Sequence, residues 1–391
     1  MKKPELLAPA GDFKSLITAI NAGADAVYLG LKEFSMRARA KNFKISDLPK
    51  IKKLTDSKKP KIKLYLTLNT IIYDNELKKA ESIIKKVKPY VNAIICSDIS
   101  IMLLCKKYKI PFHISTQCSV SNSETAKFYK KLGAERIVLA RELNIKQIKK
   151  ISKIIPVEVF AHGALCVSIS GRCFLSQHLF NESANRGRCI QPCRRYYYVK
   201  DEQGKELKID NHHIFSAKDL CTLPFIEKLR FVASLKIEGR SREPEYIDSV
   251  VRIYRKAINK KLTKKEIENS LKELQKVYNK GFSSGFYIKM PTSDDFSDVQ
   301  NSKATQKKQF IGKISHYYKK INVGLLKINT GNLKLNDNIL IIGKTTGLKR
   351  HQIKSMQINH KLVKKARKGE EVGIKMPFCR KGDEIYLIIK N

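Results

Sequence analysis

Residues 5–30 read ELLAPAGDFKSLITAINAGADAVYLG, and the fold turns on how this stretch divides. ELLAPA (5–10) is a short apolar run, residues 13–22 carry apolar side chains at helical spacing, and AVYLG (26–30) is again short and apolar throughout. A run apolar on both faces fits a strand covered on both sides, as in a parallel sheet, so the stretch reads as one strand–helix–strand unit. A doubly wound nucleotide-binding sheet would put a glycine-rich phosphate loop after its first strand, and the Pro-Ala-Gly-Asp at 9–12 has one glycine.

The unit then repeats. Further strands are expected at 62–69 (IKLYLTLN), 93–97 (AIICS), 112–116 (FHIST), 136–140 (RIVLA), 157–162 (VEVFAH) and 234–238 (SLKIE). Helical patterns fall at 77–86, 99–108, 124–132, 145–151 and 245–260. Eight such repeats specify an α/β fold, a (β/α)8 TIM-type barrel. One interval breaks the rhythm: residues 163–233, between the seventh and eighth strands, hold five of the nine cysteines and four arginines in a short space. Long loops at the C-terminal rim of a barrel are where function gathers.

Residues 290–303 are polar and rich in Ser, Asp and Thr, and beyond 310 the pattern becomes alternating runs such as INVGLLKI, DNILIIG and EIYLIIK. The expected organisation is a barrel at 1–289 with a Cys-rich insertion at 163–233, a linker at 290–308 and a small antiparallel β-barrel at 309–391.

Charge narrows the partners. Lys+Arg number 78 against 36 Asp+Glu, a formal net charge of +42. Such a surface attracts polyanions, although lysine-rich surfaces also arise across whole proteomes. Residues 1–12, MKKPELLAPAGD, meet Pro, Glu and Asp before any signal-like apolar core. No apolar run approaches the roughly 20 residues of a membrane span. The expectation is a cytoplasmic, membrane-free protein whose thiols stay reduced.

Four cysteines stand out: Cys166-x6-Cys173-x15-Cys189-x3-Cys193. Converging thiolates suit zinc or an iron–sulfur cluster. Zinc sites usually show paired CxxC hairpins, which are absent; buried, unliganded cysteines remain the plain alternative. Cys221 is close enough in sequence to replace one ligand, Cys193 first.

Polar residues at strand ends, Asn69, Gln117, Arg141, Glu142, His162, Glu238 and Arg240, would converge in one barrel mouth as catalytic candidates, though such residues also cap helices. His162 is either a proton carrier or a hydrogen-bonded structural histidine. Lys236, Glu238 and Arg240 alternate along the last strand and share a direction. Arg37, Arg39 and Lys41 form a basic loop, and Arg186, Arg188, Arg194 and Arg195 precede Tyr196-Tyr197-Tyr198. Arginine on phosphate beside aromatic rings is how single-stranded RNA is commonly held.

The ordered motifs ELLAPAGD, AGADAVYLG, LTLNTII, ISTQCSVSN, IVLARELN, EVFAHGALC, SGRC, NRGRCIQPCR, SAKDLC and KIEGRSREPEYI resemble the collagenase-like peptidase family U32, over residues 4 to about 260. The trailing β domain is similar to the family's elongation-factor-like barrel. The resemblance implies oxygen-independent hydroxylation of the wobble uridine of tRNA or of a cytidine of 23S rRNA. It also implies a 4Fe-4S cluster on Cys166, Cys173, Cys189 and Cys193, prephenate as a candidate co-substrate, and an electron donor or partner subunit. Relatives act in ubiquinone hydroxylation; the QPCR element at 191–194 argues for the RNA branch. The segment after Tyr198 is shorter than in the tRNA-acting members, which leaves tRNA and rRNA both open.

Two other readings stand beside this one. The family was named for protease activity, but neither HExxH nor Gly-x-Ser-x-Gly occurs, and a cluster would consume the Cys166 thiolate that His162 could activate. The β domain and the charge also fit a non-enzymatic RNA-binding or translation-associated protein.

Overall fold

A computed structural model describes residues 3–195, 197–198, 200–206 and 215–391. Seven parallel strands follow in order: β1 (Glu5–Pro9), β2 (Ala26–Gly30), β3 (Lys63–Leu68), β4 (Ala93–Cys96), β5 (Phe112–Ile114), β6 (Arg136–Val138) and β7 (Val157–Gly163). After a short β8 (Asp219–Cys221), β9 (Ser234–Ile237) pairs in parallel with both β1 and β7 and closes the ring. All eight expected strands are therefore barrel strands, and the α/β TIM-type architecture holds.

The strands are apolar throughout because both faces are covered. A shell of Leu, Ile, Val and Ala side chains packs outward against the helices, while Leu7, Tyr28, Tyr65 and Ile95 fill the bore. Several helices start where a polar side chain caps them: Asp12 Oδ1 accepts from Ser15 N at 2.8 Å ahead of Phe13–Asn21, and Asp98 caps Ile99–Lys107 through Ser100 N.

The bore also holds charge. Glu158, fully buried on β7, accepts from Lys236 Nζ at 2.8 Å and from Arg136 Nη1 at 3.1 Å, and Arg136 also bonds Glu5 at 2.6 Å. Lys236 thus pairs with Glu158 on the neighbouring strand β7.

The insertion after β7 turns back on the barrel. β8 pairs antiparallel with the end of β7, setting Cys221 opposite His162, and Phe282–Ser283 adds to β8 in parallel. Residues 290–305 do not hang free: Ser297 N bonds Ser216 O at 2.7 Å and Lys303 N bonds Asn279 O at 2.8 Å. Lys280 locks this junction, its buried ammonium donating to Ser216 Oγ at 2.9 Å, Gln300 O at 3.0 Å and Val299 O at 3.3 Å.

From Gln306 the chain forms an antiparallel β domain with its own apolar core, centred on Ile311, Leu326, Ile341 and Ile374. It rests on the barrel's helices through Lys14–Glu384 at 2.6 Å, Arg350–Asp248 at 3.1 Å and Lys308–Glu245 at 3.0 Å. Among the described residues no helix is long and apolar enough to cross a membrane.

Candidate functional site

The C-terminal ends of the strands and the insertion enclose a cavity of about 160 Å³. Its floor is Tyr28 and Lys236, its walls come from the ends of β2, β3, β5 and β6, and its roof is the segment 164–194. Asn69, Gln117, Arg141, Glu238 and Arg240 all face it, as strand-end reasoning expects.

Arg240 is the best-fixed of these. It is buried, and its guanidinium donates to Ser35 Oγ at 2.8 Å, Thr67 Oγ1 at 3.0 Å and Asn42 Oδ1 at 2.5 Å. Gly30 makes the room: a Cβ there would lie 2.2 Å from Arg240 Nη2. Burial draws the Arg240 pKa down to about 10, so it remains a cation at neutral pH.

Glu238 is the carboxylate of the cavity wall, 3.2 Å from Arg37. Burial alone would raise its pKa, but the positive charges of Arg37, Arg242 and Arg141 outweigh it and hold the carboxyl below its ordinary value. Glu238 is therefore an ionised acceptor, able to orient a ligand N–H or take a proton. Asn69 Nδ2 donates to Ser115 Oγ and Gln117 Oε1, each at 3.2 Å, and so fixes Gln117.

Cations dominate the remainder: Arg37, Arg141, Arg172, Arg194, Lys236 and Arg240 line the cavity. Arg141 donates to Ala164 O at 2.9 Å and stacks 4.0 Å over the Phe160 ring, and Arg194 donates to Leu165 O at 3.0 Å. Among the described residues Arg141 Nε, Arg194 Nη1 and Arg240 Nε are buried without a hydrogen-bond partner. Buried N–H groups on cations are costly to leave unmet, so this cavity is built to receive an anionic or carbonyl-rich ligand.

All four cysteines of the quartet line the same cavity, and none forms a disulfide. Cys166 is exposed and Cys173, Cys189 and Cys193 are half-buried. Cys189 Sγ accepts from Gln191 N at 3.4 Å and from Ser176 Oγ at 3.8 Å. Burial pushes the Cys193 thiol up to about 11, opposed by the Arg194 guanidinium. Among the described residues no three His, Cys, Asp or Glu side chains stand close enough together to hold a metal ion. The donor chemistry fits a soft metal, since unpaired thiols with N–H and O–H donors share one wall beside a cation. The sulfurs themselves are not drawn together.

Several candidates are placed elsewhere. Cys221, the alternative ligand, is buried in the outer core with its sulfur 3.7 Å from Tyr254 Oη, away from the other four. Glu142 is exposed on the turn after β6 and does not face the cavity.

His162 is also outside. Parity along β7 would put it inward with Glu158 and Phe160, but a bulge between Phe160 and His162 shifts the register against β9. The ring then points out against Tyr246, Tyr254 and Phe282, with Nδ1 3.4 Å from Tyr254 Oη. Burial drives its pKa down to about 3. It is a structural, neutral histidine.

A consequence is measurable. The folded pKa lies below the unfolded 6.5, so between these values the unfolded chain binds the extra proton and stability falls as pH falls. Down to pH 4.5 this one group should cost about 2.5 kcal/mol. Unfolding of the wild type is expected to lose that much more than His162→Gln across the window, with catalysis retained in the variant. A variant with no activity at pH 7 would return His162 to the mechanism.

Of the basic residues expected to meet RNA, Arg37 and Arg194 line the cavity. Arg39 and Arg195 stand at its outer rim. Lys41 pairs with Asp12 at 3.1 Å. Arg186 is spent within the protein, bound to Glu76 and Ile71 O and stacked over Tyr73, and Arg188 faces Glu182 at 3.9 Å. Tyr196 lies outside the described residues. Arg172 and Arg242 escaped the sequence reading. The period-two signal that marks Lys236, Glu238 and Arg240 extends to Arg242, whose guanidinium stacks 3.5 Å from Tyr278.

A model of peptidase family U32 matches residues 11–297, which covers the barrel after β1 together with the insertion. The chain belongs to peptidase family U32. An uncharacterized protease of Methanocaldococcus jannaschii is 44% identical over 98% of this chain and 98% of its own. A collagenase of Porphyromonas gingivalis is 39% identical over 99% and 98%. A tRNA hydroxylation protein P1 of Bacillus subtilis is 34% identical over 81% of this chain and 78% of its own.

Proposed function

We propose that this U32 protein hydroxylates a base of RNA, a tRNA base (the wobble uridine) before an rRNA base, without molecular oxygen. The carrying observation is the cavity: six cations and one ionised carboxylate at the mouth of a barrel, with three buried arginine N–H groups unmet. The similarity to a relative named for tRNA hydroxylation supports the substrate class.

In this reading Cys166, Cys173, Cys189 and Cys193 would hold a 4Fe-4S cluster, which would relay electrons or bind a substrate directly. The cations would hold prephenate, a small dianionic co-substrate, while Glu238 and Gln117 orient the base. Replacing a base C–H by C–OH without O2 releases two electrons and two protons, so with water as the oxygen source a separate redox protein or subunit would take up the electrons.

The collagenase relative favours a peptidase as the second reading. A hydrolase of that kind needs a nucleophile beside a base, and among the described residues no histidine lines the cavity: His162 faces away, and His178, within the quartet's span, is not part of the lining. A purely RNA-binding role leaves the buried, unmet N–H groups without a purpose.

Nucleoside mass spectrometry of tRNA and rRNA from a deletion strain tests the proposal. One hydroxylated nucleoside is expected to disappear and to return with the wild-type gene. Unchanged hydroxylated nucleosides in both pools would reject it.

A further inference from the structure

The cavity opens outward into a second basin of about 530 Å³, and the two share Arg37, Cys189, Gln191 and Glu238 as common wall. Arg39, Arg195 and Arg242 ring this outer basin, together with Phe180. Among the described residues its carboxylates are Glu182 and Glu238, and each already faces a cation, Arg188 at 3.9 Å and Arg37 at 3.2 Å.

Arg39 and Arg195 are exposed, and among the described residues neither is recorded in an ion pair with an acid. They differ in this from Arg186, whose charge Glu76 neutralises. Arg195 lies 4.9 Å over the face of Phe180, a ring 41% exposed at the C-terminal end of the short helix Leu175–Phe180. Free guanidinium groups interleaved with exposed aromatic faces bind the backbone and bases of single strands.

The inner cavity is roofed by the insertion, whereas the outer basin opens towards solvent. A base stacked in a duplex could not present its ring to Glu238 or to the four cysteines; it would have to leave the stack.

We propose that the outer basin is a phosphodiester clamp for single-stranded RNA. Arg39 and Arg195, with Arg242 behind them, hold the phosphates that flank the reacting nucleotide, and its base swings into the inner cavity. This rests on the RNA-modification reading and adds to it the strandedness of the substrate and the residues that grip its backbone.

The test is a binding titration of the full-length, iron-loaded protein with a labelled single-stranded RNA of about ten nucleotides and with a hairpin duplex, at several salt concentrations. The Arg39→Gln/Arg195→Gln variant is compared with Lys61→Gln/Lys153→Gln, which removes the same charge from the opposite end of the barrel. The single strand is expected to bind the wild type at least about tenfold more tightly than the duplex. The arginine variant should lose about tenfold or more, and its slope of log affinity against log salt should fall by about 1.4, or about 0.7 per phosphate contact. The lysine variant should follow the wild type, and iron content should be the same in all three proteins.

Equal losses in both variants, or a duplex bound as tightly as the single strand, would overturn the clamp while leaving the RNA reading in place. An arginine variant that binds as the wild type does would also overturn it. A wild type that binds neither RNA would overturn the clamp and the RNA reading together.

Discussion

Cys166→Ser is expected to abolish the hydroxylated nucleoside in cells and to strip the purified protein of its iron, while the thermal midpoint moves by no more than a few degrees. Cys166 is exposed and sits in the loop after β7, so losing its sulfur costs little packing. As a ligand, however, it would be one of four, and an oxygen donor does not replace a thiolate on iron. Cys221→Ser is the matched control, since Cys221 is packed against Tyr254 and apart from the quartet. It should keep its iron, and any loss of stability should come from the buried hydroxyl. Iron measured on both, with nucleoside analysis of complemented strains, decides the matter. A Cys166→Ser protein with full iron and full activity would remove this residue from the ligand set.

The second large effect lies in the bore. Glu158→Ala is expected to destabilise the fold by about 3–5 kcal/mol, because Lys236 would be left buried without a counter-charge and Arg136 would keep only Glu5. Against a typical total of about 5–15 kcal/mol this is a large part of the whole. Burial pushes the Glu158 carboxyl up, but Lys236 and Arg136 outweigh it and hold the pKa below the ordinary 4.5. Its contribution is therefore full above pH 4.5 and is lost as pH falls towards the lower folded value. Denaturant unfolding should show the wild-type advantage at neutral pH and its narrowing below pH 4.5. A difference under about 1 kcal/mol at neutral pH would mean that water solvates the two cations after all.

The barrel was legible because its strands are short apolar runs separated by amphipathic stretches, and local pattern alone sets that rhythm. Site residues followed where the strand period continued unbroken, as at Lys236, Glu238 and Arg240. His162 failed because one bulge, invisible in composition, reverses the direction of the side chain. Glu142 failed because the chain leaves β6 after Val138 and turns outward. Arg186 looked free in a basic run, yet its partner Glu76 is 110 positions away, and only tertiary structure brings them together. The network that seats Arg240 draws on Ser35, Asn42 and Thr67, ordinary residues with no motif of their own.

The claim at the centre is that the cavity's four cysteines hold an iron–sulfur cluster. Anaerobic purification, followed by iron and sulfide analysis and by electron paramagnetic resonance of the reduced protein, tests it most directly. The expected result is a brown protein with about four irons and four sulfides per chain and the signal of a reduced 4Fe-4S cluster. A colourless, iron-free protein carrying stoichiometric zinc would contradict it.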